Sequence, residues 1–374
     1  MLSADRAKAV MEAAAAASDA LFGLAEELDR QGDFPDAAMT VLRRHDLLAA
    51  PFRVEHGGAG LTDAAAAADL FAVLRRVGAG DLSTGRLYEG HVNAVALVER
   101  FGTPAQARDL AEVVRAGALS AVWNAEGRTG VRLERRGEGW CLVGRKILAS
   151  GAGHVTRPLV TACQGNDLWM TLPILAAGER ADLSGWTAQG MRSSATGLID
   201  LDEVAIRPED LVGEPGDYKR QPGFSGGGWR FCAVQLGAAE RLVDLYREAL
   251  VGRGRDEDPY QRQRIAECAA ATESAALWIG KAARMVAEEA RPAADIVAYV
   301  GLTRMVTERA ALDVLERVHR GMGLMSFIRP NAVERIGRDL ATYLRQPAPD
   351  GAMADAAGQV LASTRSTRDL WTPA

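Results

Sequence analysis

The spacing of apolar residues divides the chain into three parts. Up to about residue 117, apolar side chains recur at intervals of three and four, which is the period of an amphipathic helix. A clear example is the segment 105–116, whose apolar face consists of Ala107, Leu110, Ala111 and Val114. We therefore expect residues 1–117 to form an N-terminal helical domain.

The middle part, residues 118–215, contains short apolar runs separated by turn residues. The runs at 131–133 and 140–143 flank a Gly-Glu-Gly turn, and those at 159–163 and 168–172 flank a second short polar turn. Such pairs are typical of β-hairpins. About six strands at a spacing of roughly 8–12 residues, with no helical pattern between them, predict a compact antiparallel barrel or sandwich.

Helical periodicity returns after a Gly- and Pro-rich connector at residues 216–229. One apolar stripe consists of Leu242, Leu245, Tyr246, Ala249 and Leu250. Residues 294–320 contain no proline, which favours one long helix. We expect residues 216–374 to form a four-helix bundle. The order helices, strands, helices indicates an α+β protein of three domains.

Composition and charge exclude several classes of protein. Of the 374 residues, 48% are hydrophobic, as in ordinary globular proteins. There are 44 Lys and Arg against 49 Asp and Glu, a net charge of −5 without a long basic run, so we expect no nucleic-acid binding. No uncharged apolar stretch approaches ~18 residues, so we expect no membrane span. The N-terminal segment does not resemble a signal peptide and the four cysteines are scattered, which favours a cytoplasmic protein.

The common catalytic motifs are poorly supported. Residues 223–227 match GxSxG, but the Gly- and Pro-rich stretch before them cannot form the buried strand that a nucleophile elbow requires. A flexible connector fits these residues better. Residues 151–153 begin like a dinucleotide fingerprint, yet no βαβ unit surrounds them. The five histidines never form a close pair, so we predict no metal site.

Four strings occur in an order that resembles the acyl-CoA dehydrogenase family. They are AAPFRVEHGGAGL at 49–61, GRKILASG at 144–151, GMRSSATG at 190–197, and GMGL with RIGRD at 321–339. Each string is only moderately specific, but their order and spacing together are similar to the family over most of the chain. The resemblance implies a flavoprotein that binds FAD between the β-domain and the C-terminal bundle, with a neighbouring subunit completing the site.

The resemblance also suggests which residues contact the cofactor. Ser150 matches the hydroxyl that hydrogen-bonds the flavin ring, and Leu148 stands where the family has a stacking tryptophan. Trp123 and Asn124 match the strand that faces the pyrimidine ring, although Trp123 fits plain barrel core equally well. A hydroxyl beside the flavin ring would stabilise its reduced form.

Further cofactor contacts are implied in the C-terminal bundle. Arg253 matches an arginine that reaches the FAD pyrophosphate of a neighbour, although a solvated charge run explains it nearly as well. Gln263 lies where the family has a glutamine on the next helix. Gly321 and Gly323 match glycines beside the adenosine diphosphate, with an ordinary helix-end turn as the alternative.

The sequence departs from the family where a catalytic base is expected. Dehydrogenation of an acyl thioester needs a carboxylate to accept the α-proton. The family position falls on or near Pro347, and the alternative position, near Arg230, also has no carboxylate. Asp350 is the nearest carboxylate and our candidate base; the alternative is that it caps the next helix.

A polar segment stands where family members line the acyl pocket with small or apolar residues. It contains Glu89 and His91, which at i and i+2 of a helix face different ways. If the segment lines a pocket, it holds a polar substrate and not a fatty tail; the alternative is a solvent-facing helix end. We take Glu89, His91 and Arg230 as candidate substrate-binding residues.

Three functions follow from these observations. The first is FAD-dependent α,β-dehydrogenation of an acyl-CoA or a related thioester. The second is a flavin oxidase or monooxygenase on the same fold, acting on a small molecule without CoA. The third is a catalytically silent oligomeric scaffold. The resemblance also implies a homodimer or homotetramer, with a flavoprotein or O₂ as the electron acceptor.

Overall fold

The computed structural model describes residues 4–288, 291–345 and 348–372. The helices are α1 (Ala4–Gln31), α2 (Asp36–Arg44), α3 (Ala67–Gly80), α4 (Leu82–Phe101), α5 (Pro104–Arg115), α6 (Gly223–Gly226), α7 (Trp229–Gly252), α8 (Pro259–Val286), α9 (Ala293–Met322), α10 (Ala332–Tyr343) and α11 (Pro349–Ala362). The strands are β1 (Val122–Trp123), β2 (Arg132–Arg136), β3 (Gly139–Val143), β4 (Arg145–Ala149), β5 (Leu159–Gln164), β6 (Asp167–Thr171), β7 (Ala181–Asp182), β8 (Gly197–Asp200), β9 (Val204–Ile206) and β10 (Leu211–Val212). The predicted order of helices, strands and helices is confirmed.

Local signals explain several helix boundaries. Helix α5 begins with a capping box, in which the Thr103 hydroxyl accepts from the Gln106 N–H and the Gln106 side chain accepts from the Thr103 N–H. Pro104 occupies the first turn, where its missing N–H costs nothing. The Asp258 carboxylate caps α8 by accepting from two backbone N–H groups. These boundaries follow from the sequence alone.

The strands form a seven-stranded sheet and a three-stranded sheet. Six strands of the larger sheet follow the order β10-β6-β5-β2-β3-β9, with β1 paired to β5, and the smaller sheet has the order β4-β8-β7. Both predicted hairpins, β2–β3 and β5–β6, are present. The expectation of a wholly antiparallel domain is wrong at two places, since β1 and β2 both pair with β5 in parallel. The chain crosses to the smaller sheet through β4 before returning as β5, and this crossover lets β5 run in the same direction as β2.

The first and last helical parts share one core. Helix α3 packs along α7, and α7, α8 and α9 pack against one another, with α10 on α7 and α11 on α9. The approach of α3 and α7 is unusually close: a Cβ on Gly237 would lie 1.9 Å from the Arg75 carbonyl oxygen, and one on Gly78 would lie 2.2 Å from that of Val234. Only glycine fits at these positions. None of the described helices has the length and apolar character needed to cross a bilayer.

Candidate active site

The end of strand β4 meets the loop before β8 through a chain of hydroxyl groups. The Gly151 N–H donates to the Ser194 carbonyl oxygen at 2.9 Å. The Thr196 hydroxyl donates to Ser150 Oγ at 3.1 Å and lies 2.8 Å from Ser194 Oγ. All three hydroxyl residues are buried or nearly so. Ser150, the predicted flavin contact, is therefore held in place by its neighbours.

Three non-glycine residues with positive φ lie in the same two segments. Leu148, Met191 and Ala195 have φ values of +51°, +58° and +43°. Such values are uncommon for residues other than glycine and often occur at functional sites. The Leu148 side chain is 55% exposed, so it lies at the open side of this turn and not in the core. This is the geometry of a surface on which a planar ligand can rest.

Strand β1 supports this turn from behind. The buried Trp123 ring donates from Nε1 to the Ser150 carbonyl oxygen at 3.0 Å. Asn124 is exposed, and its Oδ1 accepts from the Thr161 hydroxyl at 3.0 Å. The side chain of Trp123 thus positions Ser150 as part of the core. Contacts of Trp123 and Asn124 with a cofactor stay predictions.

A buried lysine next to Asn124 was not singled out from the sequence. Lys146 Nζ donates to Glu126 Oε1 at 2.7 Å and to the Thr161 hydroxyl at 3.0 Å, and its side chain is fully buried. Burial lowers the pKa of Lys146, while the ion pair with Glu126 opposes that change. Lys146 ties β4 to β5 beneath the predicted flavin strand. The position of Lys146 inside the GRKILASG string is the feature of the sequence that could have identified it.

Helix α10 fastens the loop on the other side. The Met191 N–H donates to Asp339 Oδ1 at 2.5 Å, and Arg338 Nη1 donates to the Gln189 carbonyl oxygen at 2.6 Å. Burial beside the Asp81 carboxyl raises the pKa of Asp339 to about 7. Arg338 and Asp339, the last two residues of the RIGRD string, thus hold the loop before β8 in place.

A concavity of about 350 Å³ lies at the junction of α8 and α9. Its charged lining residues are Arg255, Asp258, Arg264 and Arg320, and both Gly321 and Gly323 belong to its wall. Gln261 Nε2 donates to the Gly321 carbonyl oxygen at 3.4 Å, and a Cβ on Gly321 would lie 2.2 Å from the Tyr246 hydroxyl. An excess of arginines around a glycine turn fits a phosphate group.

Two predicted residues of the bundle lie outside this concavity. Arg253 is exposed at the end of α7 and is not among the lining residues. Gln263 is also exposed, and its amide donates to Glu267 at 2.9 Å. The residues that the structure places there instead are Arg255, Arg264 and Gln261. These three residues were not singled out from the sequence, and cofactor contacts of Arg253 and Gln263 stay predictions.

Four polar side chains form a hydrogen-bonded cluster: Arg86, Glu89 and Asn93 on α4, and Arg230 on α7. Arg86 Nη1 donates to Glu89 Oε2 at 2.5 Å, and the Asn93 amide donates to the other Glu89 oxygen. Arg230 Nη1 donates to Asn93 Oδ1 at 3.1 Å. We call these four residues the arginine cluster. Two of the predicted substrate-binding residues, Glu89 and Arg230, are therefore brought together.

His91 faces away from this cluster, as its spacing predicted. Its Nε2 lies 2.8 Å from the Leu48 carbonyl oxygen, and its Nδ1 accepts from the Ser120 N–H at 3.2 Å. The ring is therefore neutral with its proton on Nε2, and burial lowers the pKa of His91 to about 4. The alternative of a solvent-facing helix end is wrong, since Glu89 is 2% exposed and His91 is fully buried. Both ring nitrogens of His91 already have partners within the chain.

The remaining candidates lie at the surface. Asp350 is exposed in the first turn of α11, and Pro347 lies outside the described residues. Ser225 lies in α6, where its N–H donates to the Gln221 side chain, and no strand precedes it within residues 213–222. The rejection of a nucleophile elbow is thus supported by the local structure.

These elements fit a flavin. A strained turn with a fixed hydroxyl suits a planar ring that needs hydrogen bonds at one edge, and the arginine-lined concavity suits a phosphate. The arginine cluster offers a polar surface for a substrate. The geometry is therefore compatible with a flavin and with a polar ligand.

Comparison with known proteins identifies the family. Residues 4–117 match the model "Acyl-CoA dehydrogenase, N-terminal domain", and residues 229–345 match "Acyl-CoA dehydrogenase, C-terminal domain". The 3-sulfinopropanoyl-CoA desulfinase of Paraburkholderia xenovorans is 26% identical over 87% of this chain and 88% of its own length. The dibenzothiophene monooxygenase of Mycolicibacterium goodii is 24% identical over 72% of this chain and 75% of its own length.

A solved structure shows the same fold. FMN-bound TdsC from Paenibacillus sp. A11-2 superposes with a TM-score of 0.83 at 20% identity, covering 97% of this chain and 100% of that one. The matched models cover the helices on both sides of the β-domain, and the fold agrees throughout. The chain therefore belongs to the acyl-CoA dehydrogenase family of flavoprotein oxidoreductases.

Proposed function

We propose that this protein is a flavin-dependent oxidoreductase that oxidises a small polar molecule, with O₂ as the electron acceptor. The observation that carries this proposal is the arginine cluster. The Nε atoms of Arg86 and Arg230 are buried without a hydrogen-bond partner among the described residues. A hydrocarbon tail packed against them would cost roughly 1–3 kcal/mol for each atom left without water. A polar substrate replaces that water without the penalty. Relatives that include a dibenzothiophene monooxygenase support O₂ as the electron acceptor.

The flavin, when bound, accepts or delivers the electrons of the reaction. The chain's own residues would hold and orient it. Ser150 would donate a hydrogen bond to the ring, with Thr196 and Trp123 fixing its position. Leu148, 55% exposed at the turn, would cover one face of the ring. Each of these contacts is supported by the geometry of the β4 turn.

We retain FAD as the proposed flavin, with FMN, the ligand of TdsC, as the competitor. The concavity at Gly321 has three arginines and room for a diphosphate. In the family pattern this element serves a neighbouring subunit, so we also propose a homodimer or homotetramer. The silent-scaffold alternative is the weakest, because the turn and the concavity would then have no ligand.

The first prediction concerns flavin binding. The protein is expected to bind one flavin per subunit, and Arg264→Met is expected to weaken that binding about 10- to 100-fold, because a charge-assisted hydrogen bond to phosphate is lost. Absorbance of the purified protein and titration with FAD and with FMN measure both quantities.

Arg262→Met is the matched control. Arg262 lies on the same helix but is exposed, and its side chain contacts Asp256 and Glu257, so flavin affinity should not change. A protein that stays colourless with excess FAD and FMN would contradict the flavin proposal. Equal affinities of the Arg264 and Arg262 variants would contradict the role of the concavity.

The second candidate function is α,β-dehydrogenation of an acyl-CoA. It is favoured by the family models and by the position of Asp350, shortly after the Arg-Asp pair that closes the fourth string. In this case Asp350 would accept the α-proton. Its exposure in the first turn of α11 is equally compatible with capping.

The second prediction separates the two functions through Asp350→Asn. The variant keeps much of the capping ability but cannot accept a proton. Under our proposal, the rate of flavin reoxidation coupled to substrate oxidation should stay within about twofold of the wild type. If acyl-CoA dehydrogenation is the function, anaerobic bleaching of the flavin by acyl-CoA should slow on the order of 10²-fold. Bleaching of the wild-type flavin by an acyl-CoA, lost in the variant, would replace our proposal with the second candidate.

A further inference from the structure

The arginine cluster has an unbalanced charge. Its two guanidinium groups, Arg86 and Arg230, face one carboxylate, Glu89, so the cluster carries one excess positive charge. Arg100 adds to the positive potential at Arg230. Buried charges in proteins are normally paired, because desolvation makes an isolated one costly. The charge balance therefore indicates a missing anion.

Hydrogen-bond donors in the cluster are also unsatisfied. Arg86 Nε and Arg230 Nε are buried and have no hydrogen-bond partner among the described residues. The Tyr343 hydroxyl, on a side chain that is 2% exposed, faces Arg86 without a hydrogen bond of ordinary geometry. Buried polar groups in native proteins are nearly always paired. Three such groups at one place indicate an acceptor that comes from outside the chain.

The cluster is partly exposed at Arg86 and is close to the β4 turn. The Arg86 side chain is 24% exposed, whereas Glu89 beside it is almost fully buried. A Cβ on Gly151 would lie 3.2 Å from Leu87, the residue after Arg86. Tyr343 lies one helical turn beyond Asp339, which holds Met191. Helices α4 and α10 thus each have one residue next to the predicted flavin position, Leu87 and Asp339, and another at the cluster, Arg86 and Tyr343.

We propose that the arginine cluster binds a singly charged anionic group of the substrate, a carboxylate, sulfinate or sulfonate. Arg86 and Arg230 would donate to its oxygens, and the Tyr343 hydroxyl would donate a further bond. Because Arg100 is exposed and its charge is screened by solvent, one negative charge balances the cluster, whereas a phosphate dianion exceeds it. That the bound molecule is also the one oxidised rests on the proposed function; the anion site itself does not.

The test measures binding of small anions by calorimetry, with flavin-loaded protein and, separately, with flavin-free protein. The probes are butanoate, butane-1-sulfonate and butyl phosphate, with butanamide as the uncharged analogue. Butanoate or butane-1-sulfonate is expected to bind at least about tenfold more tightly than butanamide and butyl phosphate. Equal binding of butanamide, or no binding of any probe to the wild type, would overturn the inference.

Two variants locate the site. Arg230→Met is expected to weaken anion binding about 10- to 100-fold, whereas Arg247→Met should have no effect, since Arg247 lies exposed on the same helix. Tyr343→Phe should weaken anion binding and keep the fold, because the buried ring is retained and the hydroxyl alone is lost. Unchanged anion binding in both Arg230→Met and Tyr343→Phe would also overturn the inference.

The flavin state separates this inference from the proposed function. Anion binding to a protein that never takes up flavin would leave the site standing and remove the oxidoreductase proposal. A flavin-loaded protein that binds no anion would remove the anion site and leave the oxidoreductase proposal standing.

Discussion

Gly237→Ala is expected to destabilise the fold by about 3 kcal/mol or more, although alanine is the better helix former. The new Cβ would lie 1.9 Å from the Arg75 carbonyl oxygen and 2.8 Å from the Ala79 nitrogen, and backbone atoms cannot rotate away. Helices α3 and α7 would have to separate, and the core that joins the first and last helical parts would open. Urea unfolding followed by circular dichroism measures the change.

Gly23→Ala provides the matched control. Gly23 lies within α1, and nothing lies within 4 Å of a Cβ placed on it. That substitution should stabilise the protein by roughly 0.5–1 kcal/mol, the usual gain of replacing a helical glycine. If both variants were stabilised alike, the close approach of α3 and α7 would not exist in solution.

Asp339→Asn is expected to change how stability depends on pH. Burial holds the pKa of Asp339 at about 7, so the folded protein keeps a proton that the unfolded chain releases near its usual pKa of 3.8. Stability from this group is therefore highest below about pH 4 and falls as the pH rises to about 7. The asparagine of the variant can still accept a hydrogen bond from the Met191 N–H, but it has no carboxyl group to ionise, so its stability does not fall over this pH range.

The stability of Asp339→Asn relative to the wild type should thus rise between pH 4 and pH 8, on the order of 4 kcal/mol. The stability of the variant must be compared with that of the wild type at each pH, because His91 changes the stability of both proteins with pH in the opposite direction to Asp339. Its pKa is lowered to about 4, so its contribution is lost as the pH falls below 6.5. Urea unfolding at several pH values gives the difference, and the exposed Asp355→Asn should show none. A constant difference for Asp339→Asn would show that its carboxyl is not desolvated.

The candidate site was predictable where it depends on short strings. Ser150 and the glycines at 321 and 323 stand inside such strings, and the structure places them at a strained turn and at the wall of a concavity. The lining of the concavity was less predictable, since the candidates Arg253 and Gln263 lie outside it. A shift of two residues on a helix moves a side chain to the opposite face, as Gln261 and Gln263 show.

The order of elements, both hairpins and the starts of α5 and α8 follow from the sequence, because these depend on residue period and on caps that act within a few positions. It also predicted that Glu89 and His91 face different ways. Which distant groups meet, by contrast, depends on the packing of the helices and strands. The parallel pairing of β1 and β2 with β5, the clamp of Asp339 on Met191, and the contact of Arg230 with Asn93 all join residues far apart in the chain. Such contacts depend on how whole elements pack, and no local pattern of apolar and polar residues encodes them.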